Sequence, residues 1–141
     1  MEEENPGRDA LLPLQFVLGS WKGEGRSDGH PVTGSLAAAE RFGSFIELRE
    51  TLRTVTGETD HEDVAWIGYD KLHRKLVVTH FSAGPSLEKM LVIPEPAGFR
   101  WWGGVDKPVV RYISRGERLR IEVLPPGEEE AVHWMEYGRA E

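Results

Sequence analysis

Residues 11–26, with the sequence LLPLQFVLGSWKGEGR, decide the fold of this chain. The first eight positions carry six apolar residues with the spacing of a short helix, which ends at Gly19. Residues 20–26 then alternate as a first β-strand does. A helix followed directly by a strand suits a sheet that closes on itself, because the helix then covers one end of the barrel. We therefore expect a short N-terminal capping helix and a first barrel strand.

Beyond a predicted loop at residues 27–31, the chain has the pattern of about nine more short strands separated by turns. Strands without intervening helices favour antiparallel neighbours joined by hairpins. We predict an all-β fold, a ten-stranded antiparallel up-and-down β-barrel, with a two-sheet sandwich as the alternative. The predicted later strands are residues 34–41, 45–55, 61–70, 75–81, 87–93, 99–103, 108–114, 118–124 and 130–137.

Length and charge limit the classes of protein to consider. A chain of 141 residues suffices for one core, so we assign residues 11–141 to a single β-barrel domain and the acidic residues 1–10 to a flexible tail. The net charge of −7 provides no basic field, so we expect no nucleic acid and no membrane surface as partner. The expected partner is an apolar small molecule, and a homodimer is left open.

Several kinds of chemistry lack their sequence signals. The chain has no cysteine, which excludes disulfides, thiolate metal ligands and cysteine nucleophiles. Residues 1–10 contain no apolar segment typical of a secretory signal, so we expect a cytoplasmic protein. We find no Gly-x-Ser-x-Gly elbow, phosphate loop or His-Glu-x-x-His motif. We assign no catalytic residue and no metal site, and favour a binding protein over an enzyme of the isomerase or hydratase type.

The Gly19-x-Trp21 pair lies in the run Leu-Gly-Ser-Trp-Lys-Gly-Glu-Gly-Arg. This run resembles the opening of the lipocalin and fatty-acid-binding superfamily, the calycins, and most closely that of nitrobindin-like haem-binding barrels. The resemblance extends to about residue 80. It implies a calycin-like barrel that holds an apolar or amphipathic ligand in its interior. Its most specific form implies haem b as cofactor and an activity on nitric oxide or nitrogen oxides.

The same resemblance implies a structural role for Gly19, Trp21 and Arg139. In the similar families the tryptophan of strand one lies at the closed end of the barrel, under an arginine from the last strand, and Arg139 stands in the matching position. A cation over an indole face contributes about 0.5–2 kcal/mol. We therefore expect these residues to belong to the scaffold rather than to the ligand site.

The last strand carries the first candidate for ligand binding. If Arg139 points inward, period-2 alternation brings His133, Met135 and Tyr137 to the same inner face. The opposite register would turn the His133 imidazole into water. Nitrobindin-like proteins carry the proximal haem histidine on the last strand, which implies that role for His133. Tyr137 is then a further ligand-binding candidate.

Two other histidines match the nitrobindin-like pattern. His61, followed by Glu62, falls where that family carries a His-Ala-Glu segment on the distal side of haem, which implies a distal position. From the residues alone, a solvated turn histidine is the alternative. His80 resembles, with one extra residue in the following segment, the family's His-Pro-Thr-Gly turn, and is a ligand-binding candidate or merely a strand end.

Two charged residues interrupt apolar strand faces. Glu50 lies within the apolar face of residues 46–52, and Arg111 lies between apolar neighbours in residues 109–113. Because an unpaired buried charge is costly, we expect Glu50 and Arg111 to pair with each other or to orient a polar ligand head, unless both lie at a wet rim. The fatty-acid-binding resemblance implies Arg111 as a carboxylate anchor. Trp66 is included as a candidate ligand wall, a role that aromatic residues share with the core.

Overall fold

A closed barrel of ten antiparallel strands forms the body of the protein. The computed structural model describes residues 6–82 and 86–140. Each strand pairs with its neighbours in sequence, and the first strand pairs with the last. This confirms the predicted barrel over the sandwich. The strands are β1 (Gly19–Ser27), β2 (His30–Arg41), β3 (Phe45–Thr54), β4 (Thr59–Asp70), β5 (Lys75–Ser82), β6 (Ser86–Glu95), β7 (Gly98–Trp102), β8 (Val109–Arg115), β9 (Arg118–Leu124) and β10 (His133–Arg139).

The N-terminal cap begins earlier than predicted. An α-helix, α1, covers Pro6–Leu11, and a 3₁₀ helix covers Leu12–Val17. The second half of the predicted tail is therefore helical, while residues 1–5 lie outside the described residues. This first turn is not evident from the sequence, because residues 6–11 include a glycine and two charged residues and show no apolar periodicity. Neither helix has the length and apolarity needed to cross a membrane.

The turn between β1 and β2 is tighter than the predicted loop. Ser27 and His30 face each other across the hairpin, so only Asp28 and Gly29 form the turn. Both have positive φ, +49° and +83°. Asp-Gly suits a two-residue hairpin turn of this kind, because both central residues must adopt the left-handed region. The strands therefore extend to the end of the barrel that lies away from the cap.

The half of the barrel next to the cap is a packed core. Inward side chains from the strands meet the apolar face of the cap, and the rings of Phe16 and Phe99 lie 5.8 Å apart. Burial of these side chains supplies the main stabilisation of the fold. The largest fully buried side chains are Tyr137, Phe99, Leu14, Leu36, Ile46, Ile67, Leu119, Val17 and Val78.

Trp21 and Arg139 close the capped end, as expected from the resemblance. The Arg139 guanidinium lies 3.9 Å from the centre of the Trp21 ring. It also donates hydrogen bonds to the carbonyl oxygens of Phe16 and Leu18, and the Trp21 indole donates to the Val17 carbonyl at 2.8 Å. Gly19 has φ +121°, and a Cβ there would lie 2.6 Å from the guanidinium. These contacts join the cap to both β1 and β10.

A close approach of β1 to β10 makes Gly25 sensitive to substitution. A Cβ at Gly25 would lie 1.8 Å from the backbone carbonyl oxygen of Trp134 on β10. We expect Gly25→Ala to lower the free energy of unfolding by about 1–3 kcal/mol, because the strands must separate to admit the methyl group. Gly138, on β10, has open space at its Cβ position and provides the matched control. Chemical denaturation measures both variants, and equal effects would contradict the prediction.

Candidate functional site

The half of the barrel away from the cap contains a cavity of about 490 Å³. This volume falls in the range of about 300–1,000 Å³ that is typical of small-molecule sites. The cavity lies at the end of β1 and the start of β10, with Ser27, Asp28 and His133 near its mouth. Its apolar walls include Leu52, Met90, Trp101, Val110, Ile121 and Met135.

The structure brings most of the predicted site residues to this cavity. Glu50, His61, His80 and His133 line it. Tyr137 lies buried beneath it, and its hydroxyl donates a hydrogen bond of 2.7 Å to Glu50 Oε2. The predicted inward register of β10 is therefore present, and the alternative register that turns His133 into water is excluded.

A carboxylate that the sequence analysis missed holds two of these histidines. Asp63 Oδ2 lies 2.9 Å from His61 Nε2 and 2.8 Å from His80 Nε2. Burial raises the pKa of Asp63, but the hydrogen bonds from the two imidazoles outweigh burial and leave this pKa below its usual value. The hydrogen bond to Asp63 in turn raises the pKa of His61. The sequence indicates the contact between His61 and Asp63, because residues two apart on a strand share a face.

Glu50 carries the most perturbed carboxyl of the cavity. Burial raises its pKa to about 7, and repulsion from the Asp63 carboxylate adds to this effect. The hydrogen bond from Tyr137 and the charges of His61 and His80 offset only part of it. Glu50 therefore keeps its proton to a higher pH than an exposed glutamate does. Glu50 does not form the predicted pair with Arg111.

Aromatic rings form one side of the cavity. The Trp101 ring lies 5.4 Å from the His80 imidazole and 5.5 Å from the Tyr112 ring, which stacks on Phe99 at 4.7 Å. Trp101 is only 3% exposed, and its indole N–H has no hydrogen-bond partner among the described residues. Buried polar groups are nearly always paired, so this buried and unpaired donor is an exception.

At the mouth, His133 is held by one ring nitrogen. Its Nδ1 lies 2.8 Å from Ser27 Oγ, and its Nε2 lies 3.6 Å from the carboxylate of Asp28. Nearby, the His30 imidazole and the Asp60 carboxylate are 2.9 Å apart. The mouth therefore carries two histidines and two carboxylates.

Arg111 lies outside the cavity, contrary to its predicted inward position. Its guanidinium lies on the outer face, 3.6 Å from Glu95 and 3.7 Å from Glu122. Val110 and Tyr112 are the residues of β8 that face inward. The prediction was wrong by one residue of register because β8 is apolar on both faces, and such a strand does not reveal which face is buried.

Trp66 also lies on the outer surface rather than in the ligand wall. Its ring packs 5.7 Å from that of Phe45 and 6.1 Å from that of Phe42. On β4 the inward face is formed by the odd-numbered positions, which include His61 and Asp63. Alternation therefore directs Trp66 outward.

Comparison with known proteins supports the fold. Neither a protein-family model nor a curated protein sequence matches this chain. The crystal structure of Rv2717c from M. tuberculosis is similar over 99% of this chain and 100% of that chain, with a TM-score of 0.68 and 15% sequence identity. A de novo designed fluorescence-activating β-barrel matches 89% of this chain and 95% of its own length, with a TM-score of 0.48 and 15% identity. The likeness to Rv2717c shows a shared barrel fold.

Proposed function

We propose that this protein binds a small molecule with an apolar body and a polar head inside its barrel. The observation that carries the proposal is one cavity of about 490 Å³ in which apolar walls meet a cluster of carboxyl and imidazole groups. Small-molecule sites combine these two features, because apolar walls supply affinity and a few polar groups fix orientation.

A purely structural role does not explain the carboxyl and imidazole groups that line the cavity. A carboxyl group that faces an enclosed space destabilises the folded protein when it ionises, and an apolar side chain at Glu50 would avoid this cost. Groups with strongly shifted pKa values concentrate at functional sites. We therefore interpret Glu50 and Asp63 as part of a binding site.

The charges of the cavity argue against the fatty-acid form of this proposal. With Arg111 on the outer surface, the expected anchor for a carboxylate is missing. Among the described residues, Arg26 at the mouth is the only arginine or lysine that lines the cavity. A fatty acid would also place its carboxylate near Glu50 and Asp63, and like charges at close range repel.

Binding inside the barrel predicts that filling the cavity prevents it. We expect the neutral fluorescent probe N-phenyl-1-naphthylamine to bind the wild type, and Val110→Phe to weaken its binding by at least about tenfold, because the larger ring occupies ligand space. Val109→Phe is the matched control, since the neighbouring side chain faces outward on the same strand. Probe fluorescence measures the affinity. An equal loss in both variants, or no binding by the wild type, would contradict the proposal.

Haem is a second candidate ligand, favoured by the surroundings of His133. An axial imidazole needs one nitrogen directed at iron and a partner for the other. His133 has Ser27 Oγ at its Nδ1, and its Nε2 lies at the cavity mouth beside Asp28, so this residue fits the axial position. His61 and His80, on β4 and β5, line the same cavity and would face the bound group. Bound haem would supply chemistry on nitrogen oxides.

The haem candidate predicts a specific optical result. Addition of haemin to the purified protein should give a shifted Soret band, and His133→Ala should remove the shift because the axial imidazole is lost. Arg111→Ala is the control, since Arg111 lies on the outer surface and its loss should leave the spectrum unchanged. Absence of a shift in the wild type, or an unchanged band in His133→Ala, excludes this candidate.

A further inference from the structure

In the deep part of the cavity, two histidines bond to one carboxyl group, while among the described residues the other carboxyl group has no cationic partner. Glu50 and Asp63 both face the cavity, and both hydrogen bonds of His61 and His80 go to the same oxygen of Asp63. Among the described residues, Glu50 accepts a side-chain hydrogen bond only from the Tyr137 hydroxyl, at Oε2. Glu50 therefore has a free oxygen and no cationic side chain bonded to it.

We propose that the polar head of the ligand is a protonated amine, bound by the free oxygen of Glu50. This inference rests on the proposed small-molecule function and names the chemical class of its ligand. An ammonium group carries three donors and a compact charge, and it can bond to Glu50 while remaining close to Asp63.

Aromatic rings in the wall of the same cavity support a cation independently of the carboxyl groups. Trp101 and Tyr112 both line the cavity. Their rings suit a cation, because aromatic faces attract positive charge.

Electrostatics support the same ligand class. The groups that act on Glu50 come from four strands, and none is a permanent cation. A bound ammonium would stabilise the ionised form of Glu50 and displace its proton, so the affinity should fall as pH decreases below about 7, by up to about tenfold per unit. The groups that act on Glu50 are Asp63 and His61 on β4, His80 on β5, Tyr112 on β8 and Tyr137 on β10.

Displacement of N-phenyl-1-naphthylamine by ligands of equal chain length tests the proposal. At about pH 8, we expect decylamine to displace the probe at a concentration at least about tenfold lower than decanol, and decanoate to be the weakest.

The Glu50→Gln variant and a pH series complete the test. Glu50→Gln should abolish the preference for decylamine over decanol, while Glu24→Gln, on the exposed face of β1, should keep it. In the wild type, decylamine affinity should fall between about pH 8 and pH 6, and decanol affinity should not. The pH series needs no variant and so does not depend on how Glu50→Gln folds.

The outcomes separate the inference from the function on which it rests. If neither the probe nor any of the decyl compounds binds, the proposed function fails. If decanol or decanoate binds as tightly as decylamine, or if Glu50→Gln keeps the preference for the amine, the ligand is not an amine and the binding function stands. A decylamine affinity independent of pH also overturns the inference.

Discussion

Replacing Trp21 with alanine is expected to lower the free energy of unfolding by about 3–5 kcal/mol, the usual effect of removing a large buried aromatic side chain. Trp21 is 2% exposed and lies where the cap, β1 and β10 meet. The substitution removes its packing, its hydrogen bond to Val17 and its contact with the Arg139 guanidinium. The cavity lies at the other end of the barrel, so ligand binding by the folded fraction should persist.

Chemical denaturation of Trp21→Ala, compared with Trp102→Ala, measures this effect. Trp102 lies on the outer face of β7 with 36% of its surface exposed, and we expect its loss to change stability by less than about 1 kcal/mol. A Trp21→Ala variant that unfolds like the wild type but no longer binds the fluorescent probe would place Trp21 in the ligand site and contradict its structural role.

Glu50→Gln is expected to stabilise the protein above neutral pH. Folding raises the Glu50 pKa from 4.5 to about 7, so the folded protein binds this proton more tightly than the unfolded chain does. The contribution of this proton to the free energy of unfolding is therefore fully present below pH 4.5. It falls as the pH rises to about 7, by about 3 kcal/mol in total. Glutamine does not ionise, and its amide oxygen still accepts the Tyr137 hydrogen bond.

The expected result is a difference between the wild type and Glu50→Gln that grows with pH and then becomes constant above about pH 7. Denaturation curves at several pH values measure it, with the exposed Glu24→Gln as control. If Glu50→Gln and the wild type differ equally at all pH values, the Glu50 carboxyl is not buried in a way that disfavours its charge.

The sequence predicts the barrel because its turns and strand lengths are regular. Strand β3 shows the reason. Ile46, Leu48 and Leu52 are buried on one face, and Arg49 and Arg53 are exposed on the other. The first turn of the cap was missed because α1 is held by tertiary packing of Gly7 and Leu11 rather than by an apolar stripe of its own. Short helices depend on such packing, which a linear pattern does not reveal.

The site was predictable where one residue fixed the register of a strand. Arg139 over Trp21 sets the inward face of β10 and so places His133 correctly. Strand β8 has no such anchor, and Arg111 was placed on the wrong face. Asp63 shares a strand face with His61, which the sequence indicates, but its contact with His80 depends on a pairing of strands that the sequence does not state.

The pairing of β1 with β10 also constrains when the protein can fold during its synthesis. Residues 19–27 are made before their partner strand, which exists only after residues 133–139 are translated. Until then β1 has one unpaired edge, and such edges readily associate with other chains. Because pairing between such distant segments is slow, nascent chains should require protection by chaperones until the last strand emerges.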